Sequence, residues 1–108
     1  MNVTKENFEE AAAQIEALLP TAAFVAIDEE MTGISIPGQQ ERMEDVPAQR
    51  YAKMRNVAMR YNIIQFGVAI FHESSESAGG YVAHVYNFYI FPETGPVNME
   101  GSAVAFNR

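Results

Sequence analysis

The chain has 108 residues, 48% of them apolar and none of them cysteine. That fits one globular domain or part of one, and it excludes a disulfide framework, a thiolate metal site and wholesale disorder. The net charge of −7 argues against a general electrostatic attraction to nucleic acid. No apolar run approaches the roughly 20 residues of a membrane span and no signal-peptide pattern opens the sequence, so the expectation is a nuclear or cytoplasmic protein with no membrane partner.

Val3-Thr4 reads as the start of a helix. Thr4 is a good N-cap, Glu6 suits the first turn, and Val3 is placed to staple to Phe8. Phe8, Ala12, Ile15 and Leu19 then fall on one helical stripe, and Pro20 ends it.

The apolar run from Ala22 to Ile27 predicts a buried strand. It runs into Asp28, Glu29 and Glu30 before Thr32-Gly33 turns the chain. Side chains alternate along a strand, so Asp28 and Glu30 share a face, their Cα atoms roughly 6.5–7 Å apart. Such a pair suits a hard divalent cation bound through oxygen. Acids also stand at strand ends simply because strands end at the surface.

Ser35 to Asp45 is polar, carries Pro37-Gly38, and reads as a loop. Pro47 suits the first turn of a helix running from about 47 to 59, with Tyr51, Met54 and Ala58 on one face and Arg50 and Lys53 on another. Positions 42–60 hold five basic residues (Arg42, Arg50, Lys53, Arg55, Arg60) against Glu44 and Asp45, a net +3. A local basic patch fits a phosphate backbone, and a solvated helix face has the same composition.

Ile63 to Phe71 is apolar on both faces and predicts a central strand covered on both sides. Glu73 to Gly80 is a hairpin loop, and Tyr81 to Phe91 is a third strand ending at Pro92. His72 and His84 sit near strand edges without metal-ligand spacing and are expected to be structural or solvent-facing. Gly95 to Arg108 has no strong periodicity.

The stretch Phe24-Val25-Ala26-Ile27-Asp28-x-Glu30-x-Thr32-Gly33-Ile34 resembles the first exonuclease motif of the DEDD ribonucleases, most closely the poly(A)-specific ribonuclease and CAF1-type deadenylase group. Arg50-Tyr51-Ala52-Lys53-Met54-Arg55 resembles that group's basic segment between the first two strands. Gln65-Phe66-Gly67 and Asn87-Phe88-Tyr89-Ile90-Phe91-Pro92 resemble its later signatures, and Met99 to Ala103 its next segment. The resemblance implies an α+β, RNase H-like fold: a three-stranded antiparallel meander with helices packed on it, the remainder of the mixed sheet lying outside the chain. Residues 1–108 are then the N-terminal part of a single nuclease domain.

The activity so implied is a 3′-to-5′ exoribonuclease acting on poly(A) and other RNA 3′ ends with two Mg²⁺ or Mn²⁺ ions. Asp28 and Glu30 match the first two of four catalytic, metal-binding acids. RNA contacts are implied at Met31, Gly33, Ile34, Arg50, Lys53 and Arg55. Met31 stands where the family usually carries an aromatic residue, and a methionine can still pack against a base. Two further aspartates and a base histidine have no match here. After Glu30 the only aspartate is Asp45, so the chain alone is expected to be inactive. Homodimerisation, or pairing with a complementary portion, is expected of its sheet edge. Two other readings stand beside this one: a non-catalytic RNA- or protein-binding remnant of the same fold, and an interaction domain in which residues 28 and 30 are solvent-facing acids.

Overall fold

The computed structural model describes residues 1–90. It contains strand β1 (Asn2–Val3), helix α1 (Phe8–Leu18), a 3₁₀ turn (Leu19–Thr21), β2 (Phe24–Met31), helix α2 (Pro47–Arg60), β3 (Ile63–Glu73) and β4 (Tyr81–Tyr89). The strands form one mixed sheet in the order β1-β4-β3-β2. The class is α+β, as expected, but the antiparallel meander is not the whole sheet: β1 adds a short parallel strand alongside β4, pairing Asn2 with Asn87 and Val3 with Phe88. The chain divides into two compact units, residues 1–30 with 65–90, and a second whose described part is 31–64.

In the first unit, the expected helix start at Val3-Thr4 is instead strand and turn. Val3 is 2% exposed, packed in the core with Ala11, Ile70 and Tyr86. The chain turns at Asn7, whose Oδ1 accepts from the Thr4 amide at 2.7 Å while its Nδ2 donates to the Asn2 carbonyl at 3.0 Å. Asn7 is the residue before α1, but its side chain braces the turn behind it rather than capping a helix amide, and α1 begins at Phe8. Its inward stripe is Ala11, Ile15 and Leu18 rather than Phe8, Ala12, Ile15 and Leu19. Leu19 falls in the 3₁₀ turn, which rotates it out of register with the helix. Phe8 is half exposed and meets Phe88 edge to face at 6.2 Å. The Tyr86 hydroxyl donates to Gln14 Oε1 at 3.0 Å, fixing α1 on the sheet.

The hairpin β3–β4 pairs antiparallel from Gln65↔Tyr89 to Glu73↔Tyr81. Its turn closes with the Ser74 amide donating to the Gly80 carbonyl, and Gly79 takes a φ of +75°, a conformation open to glycine at no steric cost. The β4 assignment agrees with the predicted third strand through Tyr89; Phe91 and Pro92, like the segment from Gly95 to Arg108, lie outside the described residues. On the α1 side, His72 and His84 stack edge to face at 5.5 Å, and His72 Nε2 lies 3.0 Å from the Leu18 carbonyl. Both histidines are partly buried and structural in these contacts.

Two burial expectations fail together. The β2 strand is exposed along nearly its whole length, with Ile27 65% exposed, because among the described residues it is an edge of the sheet. It starts at Phe24 rather than Ala22 and carries the acids at its C-terminal end, as expected. β3 is central as expected, but among the described residues it is covered on one face only: Val68 and Ile70 pack under α1, while the face bearing Gln65, Gly67 and Ala69 lines an open cavity.

In the second unit, α2 matches its prediction, with Pro47 in the first turn and the Val46 amide donating to Gln49 Oε1 at 3.0 Å. Its expected apolar face is not its inner one. Tyr51 and Met54 are exposed, whereas Lys53 and Val57 are partly buried. The reason is an ion pair: Lys53 Nζ reaches Asp45 Oδ2 at 2.7 Å and the Gln40 carbonyl at 2.8 Å, drawing that face of the helix against the 40–45 loop.

Candidate functional site

Alternation along three adjacent strands sets the geometry of the site. A methyl group built on Gly67 of β3 would lie 3.9 Å from the Asp28 Cβ on one side and 3.5 Å from Asn87 Oδ1 on the other. Asp28, Gly67 and Asn87 thus form a row across β2, β3 and β4 on the face away from α1. The antiparallel sense of β2 and β3 follows from the second fixed point, the Ala23 amide donating to the Phe71 carbonyl at 2.7 Å. Residues two along from this row share its face, and they line one open cavity of about 280 Å³. Asp28 and Glu30 stand on its β2 side, Gln65 and Asn87 supply amides, and Ala26, Gly67 and Ala69 make a floor of small residues. Further along the same face Phe24 stacks on Phe71 at 4.5 Å and meets Tyr81 edge to face at 5.2 Å.

The expected same-face placement of Asp28 and Glu30 is therefore present. Both are exposed, on a strand that is an edge among the described residues, and both line the open cavity, as does Glu29 between them. Two hard oxygen donors on one face suit a cation such as Mg²⁺ that keeps much of its own water. Among the described residues no group of three or more acids, histidines or cysteines gathers to hold a metal, so the pair fits such an ion as part of a ligand set.

The other candidates belong to the second unit. Thr32 and Gly33 are buried, locked by the Thr32 amide donating to the Asn62 carbonyl at 2.8 Å and the Asn62 amide donating to Thr32 Oγ1 at 3.1 Å. The Tyr61 ring lies flush on Gly33, and its hydroxyl donates to the Ser35 carbonyl at 2.7 Å. Ile34 projects from this clamp, 82% exposed, and Met31 is partly buried. Arg50 donates to the carbonyls of Asp45 and Met43, and Lys53 to Asp45 and Gln40, so both basic side chains hold their own loop. Arg55 is exposed on α2. Hydrogen bonds from Lys53 and from the Arg42 amide hold the Asp45 carboxyl below its ordinary range. Sequence reasoning used Gly67, Gln65 and Asn87 only as parts of signatures; the period of two on adjacent strands was the signal that they face the acids.

The chain is thus an α+β protein with a pair of carboxylates beside the open face of its sheet. The family is specified by comparison. The model of the CAF1 family ribonucleases matches residues 3–108, and the chain belongs to that family. It is 36% identical over 97 residues to the poly(A)-specific ribonuclease PARN of Danio rerio, covering 86% of this chain and 14% of that protein. PARN of Arabidopsis thaliana is 36% identical over 92 residues, covering 84% and 13%. The poly(A)-specific ribonuclease PNLDC1 of Mus musculus is 35% identical over 98 residues, covering 87% and 18%. The chain thus spans less than a fifth of the length of these relatives.

Proposed function

We propose that this chain carries the acidic-pair part of a 3′-to-5′ exoribonuclease site of the poly(A)-specific type, within an RNase H-like domain and a nuclear or cytoplasmic setting. The observation that supports this best is the shared placement of Asp28 and Glu30 over the small-residue floor of the cavity. In this reading both carboxylates hold divalent Mg²⁺ or Mn²⁺, whose chemistry when bound is to acidify a water and to stabilise a departing oxygen. The chain's own groups bind and orient the RNA 3′ end. Met31 and Ile34 offer apolar contact to a base and Arg55 offers charge to a phosphate, while Gly33 seats the Tyr61 ring beside them and Arg50 and Lys53 brace the 40–45 loop against α2. Two acids are half of the set that the family resemblance implies, so hydrolysis by these 108 residues alone is not expected.

The test is a Mn²⁺ titration followed through paramagnetic broadening of backbone amide signals. Broadening should centre on residues 28–30, be weak, and vanish in Asp28→Ala. Uniform broadening, or none at that strand, would sink the metal reading and favour a non-catalytic RNA- or protein-binding domain. Release of mononucleotides from oligo(A) by the purified chain, lost in Asp28→Ala, would show that the two acids suffice.

A further inference from the structure

The cavity face holds an element that the acids do not explain. Asn87 sits in register with Gly67, so its side chain stands across the glycine gap from Asp28. Its Nδ2 is turned toward β1, donating to Asn2 Oδ1 at 3.4 Å. That leaves Oδ1 toward the gap, 3.5 Å from where a Gly67 methyl would be, and among the described residues no donor reaches it. The gap between Asn87 and Asp28 is lined by acceptor oxygen on both sides and floored by Gly67 and Ala69.

The chemistry of that gap selects its occupant. A phosphate has no hydrogen to donate and carries the same sign as Asp28 and Glu30, so it is disfavoured against Asn87 Oδ1. A hydroxyl is favoured, because it donates. A sugar is also flat enough to lie over a floor of glycine and alanine. A ribose offers a 2′-hydroxyl donor that a deoxyribose lacks. Gly67 matters for the same reason. Its backbone needs no positive φ, and a methyl there meets only ordinary van der Waals neighbours at 3.5–3.9 Å, so the fold does not require glycine. The clearance is what a side chain would remove.

We propose that Asn87 and Gly67 form the ribose subsite of this face, Asn87 Oδ1 accepting from the 2′-hydroxyl and Gly67 giving the sugar ring room. The proposal rests on the exoribonuclease reading and names the discrimination that site makes, RNA over DNA.

The experiment measures fluorescence anisotropy of 5′-labelled oligo(A) and oligo(dA) of equal length against the whole chain in Mg²⁺ buffer. The native chain should prefer oligo(A). Asn87→Ala should weaken oligo(A) binding about three- to tenfold, the worth of one hydrogen bond, and leave oligo(dA) unchanged. Asn87→Asp, which keeps an acceptor in place, should retain the RNA-to-DNA ratio while lowering both affinities. Gly67→Ala should weaken both oligonucleotides while the melting temperature holds or rises, as expected where alanine fits the backbone. Equal loss of RNA and DNA binding in Asn87→Ala, or a Gly67→Ala loss that merely follows lost stability, overturns the subsite. Oligo(A) binding that depends on Asp28 but ignores both 87 and 67 overturns it alone. Absence of any oligonucleotide binding by the native chain overturns the exoribonuclease reading with it.

Discussion

Gly33→Ala is the sharpest available perturbation of the loop that follows the acids. A Cβ at position 33 would lie 2.5–2.7 Å from three atoms of the Tyr61 ring, inside any real carbon–carbon contact. The ring cannot simply swing into solvent, because Tyr61 is 6% exposed and its hydroxyl is tied to the Ser35 carbonyl at 2.7 Å. The methyl therefore forces the ring to shift, which costs about 1–3 kcal/mol for overpacking and about 1 kcal/mol more for the broken hydrogen bond. A total of about 2–4 kcal/mol is a large share of the stability of a domain this size, and it lowers the melting temperature by roughly 10–20 °C.

Urea unfolding of four chains tests the mechanism as well as the number. Tyr61→Phe keeps the ring and deletes only the hydroxyl, so alone it should cost about 1 kcal/mol. In a Gly33→Ala background that bond is already lost, and the same change should cost less than about 0.5 kcal/mol. Additive losses would mean that the hydroxyl bond survives the methyl and that the clash is relieved elsewhere. A Gly33→Ala chain within about 0.5 kcal/mol of native would refute the close packing itself.

Asp28→Ala and Glu30→Ala should leave urea stability within about 0.5 kcal/mol while removing the Mn²⁺ effect, since both residues are exposed on an edge strand; unfolding of either variant would make them structural acids. Lys53→Met should raise the folded-state pKa of Asp45 toward the ordinary aspartate value. Because that carboxyl is held low in the folded state, its contribution is present at neutral pH and is lost as pH falls below about 4; the acid limb of native stability should therefore flatten in the variant, and an unchanged acid limb would clear the pair of any role. Among the described residues the β2 edge presents unpaired backbone groups flanked by Phe24, Val25 and Ile27 without a lysine or proline to blunt it, so sedimentation should show association of the 12.0 kDa chain with rising concentration, strengthened by salt that screens its charge. A monomer across that series at high salt would refute the open edge.

Much of the fold was legible because period and punctuation are local. Pro47 marked the start of α2 and the Ser-Gly run after Glu73 marked the hairpin, each through a backbone rule that tertiary structure does not override. β1 was not legible, since two residues carry no period and Val3 is held by parallel pairing with Phe88, 85 positions away in sequence. Faces were harder than elements. The apolar side of α2 points outward because Lys53 found a carboxylate in the preceding loop, an encounter that hydrophobic periodicity does not encode. The run Phe24 to Ile27 reads as buried from its composition, but burial depends on what lies beside it, and among the described residues β2 has a neighbour on one side only.

Two glycines show how the site can be told apart from the fold. At Gly33 the nearest ring atoms stand at 2.5–2.7 Å, so glycine is demanded by packing and its loss should be read in stability. At Gly67 the nearest atoms stand at 3.5–3.9 Å and no unusual backbone angle is needed, so packing would accept alanine. Alanine there would also lower the chain entropy of the unfolded state and so stabilise the sheet. A residue that forgoes that gain on a strand must answer to something other than the strand. What Gly67 has beside it is the Asp28 Cβ, the Asn87 carboxamide and an open cavity. The glycine is the space between the Asn87 Oδ1 and the Asp28 Cβ, and the measurement that separates its two accounts is the one in which stability and binding move in opposite directions.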